Sequence, residues 1–449
     1  MHRRLALAAL ALALVMPSTA RAEDRHVVVI TLDGFPATLL DDPHVSLPNL
    51  RKLRAEGASS RQGMRVVNPS VTWPNHTSLM TGVYPDRHGV LFNGVATRGE
   101  PGSPTLVDPA RSQQDLVKIP LLFDVLKDAG MDSAALFWPC TRGSKSIADN
   151  MPDVPKDLDF TTPRLKQELA DKGLLVNYEK GGGVVRDEVW TEAACQILRA
   201  RKPRLLALHL LNLDGTHHRH GPDSAPGYTA ASLLDRLVGQ VVGALEEAGI
   251  RKQTTLFVLS DHGFIAVTKN IRPNIALRDA GLLVADEAKI KSAKAHVISE
   301  GGIGMVYLTD PSTAAQDRDA VTSLFRDAEG IAAVLQPADY PEYHFPQPAE
   351  NRSMADLVLV AKDGYGFSAT AKGAGLIEAN ATPTGSHGYV STEPKMNALF
   401  LVNGAGVKAG ALVDRVNTVD IAPTAAHLLG VSLGRPDGRV LSELFEAGN

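Results

Sequence analysis

The sequence predicts an α/β fold with a mixed, largely parallel sheet flanked by helices. Short aliphatic and β-branched runs alternate along the chain with amphipathic helical segments, as in sheets whose strands are joined by crossover helices. The 449 residues are 44% hydrophobic and 21% charged, which supplies a large core and excludes global disorder. Because no internal repeat is found, one core with insertions is favoured over tandem domains.

Six short apolar runs are the predicted strands. The first, 26–31, is rich in β-branched residues and suits a strand that is buried on both faces. The remaining runs follow at intervals that leave room for helices between them, and they span residues 134–138, 205–211, 255–260, 357–360 and 399–402.

Predicted helices occupy the intervals between these strands. The first spans 47–56, where Ser46 can act as N-cap, Pro48 suits the first turn and Gly57 can end the helix. A later helix ends before Gly249, a suitable C-terminal residue. That helix spans 229–248, and the other predicted helices span 120–129, 187–200 and 419–429.

Two stretches do not follow this alternation. Residues 141–183 carry charges, prolines and a run of three glycines, which predicts a long surface excursion. Residues from about 268 to 347 mix strand and helix signals, which predicts an inserted lobe.

The first 22 residues have the form of a signal peptide. A basic start is followed by an apolar stretch over 5–16 and by Ala20-Arg21-Ala22, an A-x-A cleavage site. Glu23 follows in place of a cysteine, so a lipoprotein anchor is not indicated. No other segment approaches the roughly 18 apolar residues of a spanning helix. We therefore expect a periplasmic or secreted protein without a stable membrane anchor.

The net charge and the two cysteines limit which partners and which disulfide bonds the protein can have. The formal net charge of −4 gives no basic footprint, which argues against a scaffold role on polynucleotides but not against a small phosphate substrate. The two cysteines, Cys140 and Cys195, are either a disulfide of an oxidising compartment or two small buried hydrophobic residues. The oligomeric state is left open.

Three acidic residues stand at or near the ends of predicted strands. They are Asp33, Asp214 and Asp261, and histidines follow the last two. An aspartate after a strand is commonly a turn former or a helix cap. In an open α/β sheet, however, ligands bind at the carboxyl ends of the strands, so three such turns can converge on one site.

These turns and a later loop contain the residue types of a metal site. His387 lies in the glycine-rich stretch 385–389, where a lone histidine is commonly a surface group. Aspartate oxygens and neutral imidazole nitrogens are nevertheless ligands that suit zinc. Two zinc ions about 4 Å apart would hold the attacking and leaving oxygens of an in-line phosphoryl displacement.

Thr72 is the candidate nucleophile. Pro74 is a good first-turn residue and 77–80 can continue a helix, which places Thr72 near a helix N-terminus. Free N–H groups at that end bind anions, and a metal would depress the pKa of the hydroxyl. The alternative is that Thr72 only caps the helix.

Taken together, the motifs resemble the nucleotide pyrophosphatase/phosphodiesterase family of the alkaline phosphatase superfamily. With their flanking elements they cover roughly residues 26–430. They occur in the order of that family: Thr31-Leu32-Asp33-Gly34, Thr72-Trp73-Pro74-Asn75-His76, Thr81-Gly82-Val83-Tyr84-Pro85, His88-Gly89, Asp214…His218…Gly221-Pro222, Ser260-Asp261-His262-Gly263 and Gly385-Ser386-His387-Gly388-Tyr389.

The resemblance implies an alkaline phosphatase-like catalytic core over 23–449 and two zinc ions. One ion would be held by Asp214, His218 and His387, and the other by Asp33, Asp261 and His262. Thr72 would be the metal-bound nucleophile, and Asn93 would hydrogen-bond a nonbridging phosphate oxygen.

The other histidines of these motifs match no ligand position in the family. We expect His217 and His220 to be outer-sphere or surface groups, and His76 and His88 to have packing roles. Trp73 either packs against the helix start or stacks on a base or an aromatic leaving group.

One departure from the family affects the expected substrate. Its nucleotide enzymes usually have a tyrosine and a glutamate before the Asp214 motif, whereas 208–213 here reads LHLLNL, which weakens the case for nucleotide specificity. The run Phe137-Trp138-Pro139 resembles the diesterase branch, so small phosphate diesters or pyrophosphates are the first choice of substrate. A monoester would usually need an extra cation, for which the sequence offers Arg65, Arg142 and Lys145. The alternatives are a phosphomonoesterase, a phosphonate hydrolase or a binding protein that has lost catalysis.

Overall fold

The computed structural model describes residues 25–446. The predicted signal peptide, residues 1–22, lies outside these residues. In chain order the strands are β1 (His26–Leu32), β2 (Ala58–Ser60), β3 (Met64–Arg65), β4 (Val95–Thr97), β5 (Leu106–Asp108), β6 (Ser133–Trp138), β7 (Asp149–Pro152), β8 (Leu205–Leu210), β9 (Thr254–Leu259), β10 (Ile265–Ile271), β11 (Leu283–Asp286), β12 (Lys289–Ala293), β13 (Ala295–Ser299), β14 (Ile303–Leu308), β15 (Ile331–Leu335), β16 (Leu357–Ala361), β17 (Tyr365–Phe367), β18 (Ile377–Ser386), β19 (Phe400–Gly404), β20 (Ala411–Val413) and β21 (Val416–Asn417).

Helices separate most of these strands. The α-helices are α1 (Pro48–Glu56), α2 (Thr72–Thr81), α3 (Pro85–His88), α4 (Gln113–Leu116), α5 (Leu122–Asp128), α6 (Pro163–Asp171), α7 (Gly182–Ala200), α8 (Asn212–His220), α9 (Ala225–Glu247), α10 (Pro273–Asp279), α11 (Ala314–Phe325) and α12 (Ile421–Leu429). Short 3-10 helices occupy Ala37–Asp41, Asp157–Asp159, Arg251–Gln253, Tyr340–Tyr343, Pro394–Met396, Thr418–Asp420 and Ser442–Leu444.

The central sheet has eight strands in the order β20-β2-β19-β9-β1-β8-β6-β7. Strands β9, β1, β8, β6 and β7 are parallel to one another, whereas β19 is antiparallel to both β9 and β2. Its three middle strands, β9, β1 and β8, are almost entirely buried, which explains their continuous apolar sequences. The predicted fold class, a mixed and largely parallel sheet flanked by helices, is confirmed.

Two apolar layers cover the faces of this sheet. Alternate residues of β1 point to opposite faces, so Val27 and Val29 belong to one buried cluster and Val28 and Ile30 to the other. The first cluster includes side chains of α2, α5 and α12, and the second includes side chains of α1, α7 and α9. The sheet is therefore the middle layer of a three-layer core.

The strands from β10 to β18 lie outside the central sheet. Four of them form an antiparallel sheet in the order β13-β14-β16-β15, three form the sheet β17-β10-β18, and β11 and β12 form a hairpin. These strands continue to Ser386, well beyond residue 347. The inserted lobe with bounds of about 268–347 stays a prediction.

The stretch 141–183 is more than the surface excursion that its composition predicts. Residues Asp149–Pro152 are buried and pair in parallel with β6 as the edge strand of the central sheet. Farther along, Tyr178 is fully buried, where it donates a hydrogen bond to Asp157 and accepts one at 2.8 Å from Trp190 Nε1. Aspartate, asparagine and proline disfavour strands, so the sequence pattern does not reveal β7.

Helix α1 is capped by a side chain from elsewhere in the chain. Ser46 was the predicted N-cap, but the N-cap position is Leu47, whose side chain makes no capping bond. Instead the buried Asp235 of α9 accepts hydrogen bonds from the amides of Asn49 at 3.2 Å and Leu50 at 2.7 Å. The cap is thus a tertiary contact that local sequence does not reveal.

Cys140 and Cys195 are both free and buried in separate apolar clusters. They are therefore two small buried hydrophobic residues, not a disulfide. Within residues 25–446, every helix is too short or too polar to pass through a lipid bilayer.

We expect Leu206→Ala to lower the free energy of unfolding by about 2–5 kcal/mol, because it leaves a cavity between the sheet and its helices. Leu206 is fully buried in β8, where it pairs with Val28 and Ala134. Leu106→Ala is the control, since Leu106 is 68% exposed and its loss should change stability by about 0.5 kcal/mol or less. Urea unfolding followed by circular dichroism measures both, and equal effects would contradict the packing described above.

Candidate active site

Three carboxylates meet at one end of the central sheet. Asp33 directly follows β1, Asp261 lies two residues after β9, and Asp214 lies in the first turn of α8, shortly after β8. Because β9, β1 and β8 are adjacent and parallel, their carboxyl ends deliver the three side chains to one place. Asp214 was predicted in a turn, but it is the third residue of a helix.

Asp33, Asp261 and His262 form the first group. The Nε2 atom of His262 lies 3.3 Å from Asp33 Oδ1 and 3.4 Å from Asp261 Oδ2. One potential ligand atom from each residue lies within 4.8 Å of the other two, and all three residues are fully buried. This spacing allows the three side chains to hold one metal ion.

Asp214, His218 and His387 form the second group. Asp214 Oδ1 lies 3.3 Å from His218 Nε2 and 3.6 Å from His387 Nε2. His262 also reaches this group, since Asp214, His262 and His387 offer ligand atoms that lie within 4.8 Å of one another. The structure thus brings together all six side chains that the resemblance implied as metal ligands, in one continuous cluster.

The three imidazoles of the cluster are held in the same tautomer. Their Nδ1 atoms donate to the backbone carbonyls of Gly385, Gly263 and Ser70 at 3.1, 3.2 and 3.1 Å, for His218, His262 and His387 respectively. A carbonyl can only accept, so each Nδ1 carries a proton, and Nε2 is the ring nitrogen left to bind a metal. All three Nε2 atoms face carboxylates of the cluster, the arrangement in which imidazole binds metals.

Two glycines of these motifs are required by close backbone contacts. A Cβ atom at Gly263 would lie 1.9 Å from the carbonyl oxygen of Lys395. At Gly388, where φ is +79°, a Cβ atom would lie 1.6 Å from the carbonyl oxygen of Glu300. Glycine therefore lets the loops that carry His262 and His387 pack directly against neighbouring backbone.

The loop of His387 is tied to the segment that precedes Thr72. The Ser70 carbonyl accepts hydrogen bonds from His387 Nδ1 at 3.1 Å and from the Gly388 amide at 3.0 Å. In return, Ser70 Oγ donates to the Tyr389 carbonyl at 2.6 Å. These bonds fix the candidate nucleophile segment relative to one of the candidate ligands.

The carboxylates of the cluster differ in their electrostatic surroundings. Burial, together with the nearby Asp261 and Asp214, raises the pKa of Asp33 well above its usual range. Burial also raises the pKa of Asp261. Burial acts in the same direction on Asp214, but the close contact with His218 and the charge of the neighbouring histidines outweigh it and lower the pKa to about 2. Bringing these acids together is therefore unfavourable unless a positive charge joins them.

Two of the imidazoles, His262 and His387, are in contrast ready to bind a cation, whereas for His218 the contact with Asp214 outweighs burial and raises the pKa. Burial lowers the pKa of His262 to about 4 and that of His387 to about 3. Both rings are therefore neutral at physiological pH.

Several buried atoms of the cluster have no hydrogen-bond partner among the described residues. They are the acceptors that a cation would satisfy: both carboxylate oxygens of Asp33, one oxygen each of Asp214 and Asp261, and Nε2 of His262. Unpaired buried acceptors are rare in folded proteins. Oxygen and imidazole nitrogen donors with these spacings fit a divalent metal such as zinc.

Thr72 is the first residue of α2 and lies on the wall of the same cavity. The N-cap is Val71, so Thr72 is not the capping residue. The Thr72 carbonyl accepts a hydrogen bond from His76 Nδ1 at 2.9 Å, which anchors the first turn of the helix.

The Asn93 side chain is oriented by α2. Its Oδ1 accepts a hydrogen bond from the backbone amide of Trp73 at 2.9 Å. Because an amide N–H can only donate, the Oδ1 atom of Asn93 must face Trp73, which leaves its Nδ2 group to donate elsewhere. Asn93 also lines the cavity, so this donor can serve a bound anion.

The cavity has a volume of about 520 Å³. Lys156 and Arg186 contribute to its wall, whereas the predicted cations Arg65, Arg142 and Lys145 do not. Sequence reasoning missed these two residues because they lie in or next to the charged stretch taken for a surface excursion. Its lining consists of Asp33, Thr72, Trp73, Asn93, Pro109, Phe137, Asp153, Val154, Pro155, Lys156, Asp157, Glu179, Arg186, Leu211, Asp214, His218 and His387.

Trp73 lies beside Thr72 and is almost completely buried, at 3% exposure. Its indole Nε1 donates to Asp153 Oδ2 at 2.8 Å. This contact and the burial favour the packing role over stacking on a substrate.

Two further buried histidines, His209 and His76, lie next to the cluster. His209, which sequence reasoning did not select, lies with its Nε2 3.2 Å from Asp33 Oδ2, and its Nδ1 is 3.0 Å from Thr31 Oγ1. His76 contacts the same hydroxyl at 2.8 Å. A histidine within the otherwise apolar strand β8 was the signal that could have identified His209.

The remaining motif histidines separate by burial. His217 is buried, and its Nδ1 donates to the Gly34 carbonyl at 3.2 Å, next to Asp33. His220 is exposed. His88 is buried, with its Nε2 atom hydrogen-bonded to Ser78 Oγ at 3.0 Å and its Nδ1 atom accepting from the Val90 amide at 3.1 Å.

Comparison with known proteins gives a family match over most of the chain. The sequence model of the family described as type I phosphodiesterase / nucleotide pyrophosphatase matches residues 27–390. Ectonucleotide pyrophosphatase/phosphodiesterase family member 1 of the mouse is 24% identical over 415 residues, which is 92% of this chain and 41% of that protein. A venom phosphodiesterase of Macrovipera lebetinus is 24% identical over 257 residues, covering 55% of this chain and 26% of that protein. The chain spans less than half the length of these relatives.

Solved structures show the same fold. Murine ectonucleotide pyrophosphatase/phosphodiesterase 5 superposes with a TM-score of 0.70 at 19% identity, covering 94% of this chain and all of that one. A second structure of that murine protein, with the same TM-score, identity and coverage, is an inactive variant in complex with AMP.

We expect Asp33→Asn to stabilise the metal-free protein by about 1 kcal/mol or more, because it removes one of several mutually repelling buried charges. The same change should reduce the stabilisation by zinc, which is about 2.7 kcal/mol for one site at 100 times the Kd. Thermal unfolding with a chelator and with added zinc measures both effects.

Asp149→Asn is the matched control for this prediction. Asp149 is also buried, but its carboxylate pairs with Arg164 and Arg201 at 2.8 Å each. Its loss should destabilise the protein and leave the response to zinc unchanged. A metal-free Asp33→Asn protein that is less stable than the wild type would contradict the electrostatic account of the cluster.

Proposed function

Since the chain belongs to the type I phosphodiesterase / nucleotide pyrophosphatase family, we propose that it is an exported two-zinc hydrolase of small phosphate diesters or pyrophosphates. The observation that carries this proposal is the convergence of three carboxylates and three imidazoles in one cluster. Four of these residues, Asp33, Asp214, His218 and His387, line the same cavity as Thr72. We further propose that the reaction passes through a phosphothreonine at Thr72. The catalytic core would be 23–449, and the location periplasmic or secreted.

We propose that Asp214, His218 and His387 hold one zinc ion, and that Asp33, Asp261 and His262 hold the other, with Thr72 facing them. When bound, zinc ions at these positions supply positive charge that lowers the pKa of the Thr72 hydroxyl and offsets charge on the phosphate oxygens. Without that charge, the buried acids around Thr72 would repel an anionic substrate.

In the first displacement, the Thr72 oxygen attacks phosphorus after losing its proton to solvent. The bond from Thr72 to phosphorus forms as the bond to the leaving oxygen breaks, and the leaving group takes up a proton. The Nδ2 group of Asn93 donates to a nonbridging oxygen, where negative charge is spread in the transition state. The hydrogen bond from the Trp73 amide holds Asn93 in this orientation.

In the second displacement, a water molecule attacks the phosphorus of the phosphothreonine. Water loses a proton, the Thr72 oxygen regains one, and phosphate or a phosphate monoester is released. The sum of both steps is the addition of one water across a phosphorus–oxygen bond.

The charges that line the cavity favour a diester over a monoester. Apart from the candidate metal ligands, its wall carries the acids Asp153, Asp157 and Glu179 against the bases Lys156 and Arg186. A monoester brings an additional negative charge, for which this lining provides no surplus of cations. The AMP complex of the murine neighbour supports a substrate of about nucleotide size, although the tyrosine and glutamate typical of nucleotide enzymes are absent here.

The choice of substrate is tested with chromogenic esters. We expect the zinc-loaded protein to hydrolyse bis-p-nitrophenyl phosphate with a higher kcat/KM than p-nitrophenyl phosphate, because the diester carries one negative charge at the reacting phosphate. A chelator should abolish both activities, and zinc should restore them. A higher kcat/KM for the monoester would identify a phosphomonoesterase instead.

The role of Thr72 is tested by removal of its hydroxyl. We expect Thr72→Ala to lower kcat by more than about a thousandfold while zinc content stays largely intact, because the nucleophile is lost and the other ligands remain. Thr72→Ser keeps the hydroxyl and should retain part of the activity. Turnover of Thr72→Ala near the wild-type rate would remove Thr72 from the mechanism, and a wild type that binds zinc without turnover would indicate a binding protein.

A further inference from the structure

Helix α8 carries two of the candidate ligands, Asp214 and His218, four residues apart and thus on one face. The two side chains lie close enough to bind the same metal ion only while the segment is helical. The sequence of α8, NLDGTHHRH, is rich in residues of low helix propensity and includes Gly215 in its interior. A helix of nine such residues depends on tertiary contacts for its stability.

The start of α8 is capped by a carboxylate from another helix. Asp187, in α7, is fully buried, and its two oxygens accept hydrogen bonds from the amides of Leu211 at 2.8 Å and Asn212 at 3.0 Å. The N-cap residue Leu211 supplies no capping side chain of its own. Asp187 therefore satisfies two of the amides that every helix start leaves free, and its charge lies at the positive end of the helix dipole.

Close packing at the same place leaves little freedom between the two helices. A Cβ atom at Gly183 in α7 would lie 2.9 Å from Asn212 Oδ1 and 3.2 Å from Asn212 Cα. Helix α7 is itself anchored in the apolar layer on one face of the central sheet, through side chains such as Trp190. Asp187 thus links the start of α8 to a helix that is packed in the core of the protein.

We propose that Asp187 is a positioning residue of the metal centre, which holds α8 so that Asp214 and His218 can bind one metal ion together. This inference rests on the proposed function, because it concerns the same centre. Keeping a carboxylate here has a cost: burial raises the pKa of Asp187 to about 7, while the two amide hydrogen bonds act in the opposite direction.

The protein contains a matched control for this role. Asp235 is also buried, and it caps the start of α1 in the same manner, through the amides of Asn49 and Leu50. Helix α1 carries none of the candidate ligands. An asparagine keeps one acceptor oxygen but loses the charge and the second acceptor. The substitutions Asp187→Asn and Asp235→Asn therefore weaken similar caps, of which only the first concerns the site.

The experiment measures zinc affinity by titration calorimetry for the wild type and for both variants. We expect Asp187→Asn to weaken zinc binding by about 10- to 100-fold, the usual effect of removing support from a ligand. Asp235→Asn should lower the melting temperature to a similar extent and leave zinc affinity unchanged. In the metal-free protein, the amides of Leu211 and Asn212 should exchange hydrogen faster in Asp187→Asn than in the wild type.

A second variant keeps the test decisive if Asp187→Asn does not fold. Asp187→Glu retains the charge but displaces it by one methylene group, so it should weaken zinc binding less than Asp187→Asn would. Wild-type zinc affinity in an Asp187 variant, or equal weakening by Asp235→Asn, would overturn the positioning role alone. A wild type that binds no zinc would overturn the proposed metal centre, and this inference with it.

Discussion

The structure depends on the confinement of three carboxylates, Asp33, Asp214 and Asp261, at the carboxyl ends of three adjacent strands. Four of their oxygens are buried and lack a hydrogen-bond partner among the described residues, and burial and mutual repulsion raise the pKa of Asp33 and of Asp261. Such a cluster persists only where the surrounding structure is stable enough to enforce it. Here the enforcement comes from two apolar layers that hold the sheet from both faces.

The imidazoles of the cluster are organised by backbone atoms, not by side chains. Each of the three candidate ligands donates its Nδ1 proton to a main-chain carbonyl, so the direction of its lone pair follows from the path of the chain. The glycines beside His262 and His387 serve the same purpose, because a side chain at either position would collide with neighbouring backbone. Geometry at the site is therefore set by the fold, with little rotational freedom left to the ligands.

The sequence predicted the features that depend on local pattern. Continuous apolar runs identified β1, β8 and β9, and the order of motifs led to the family and to six side chains that the structure brings together. It did not predict contacts between distant segments, such as the caps formed by Asp187 and Asp235, or the approach of His209 to Asp33. Strand β7 was missed for another reason, since its pairing with β6 overrides residues that disfavour strands.

The bonds between Ser70 and the loop of His387 join segments that are more than three hundred positions apart. During synthesis on the ribosome, the first strands of the sheet emerge long before this loop exists. A growing chain thus contains Thr72 early, and the His387 loop that is bonded to the segment before it only near the end. If the protein has the proposed function, it would become able to hydrolyse its substrate only after nearly the whole polypeptide has left the exit tunnel.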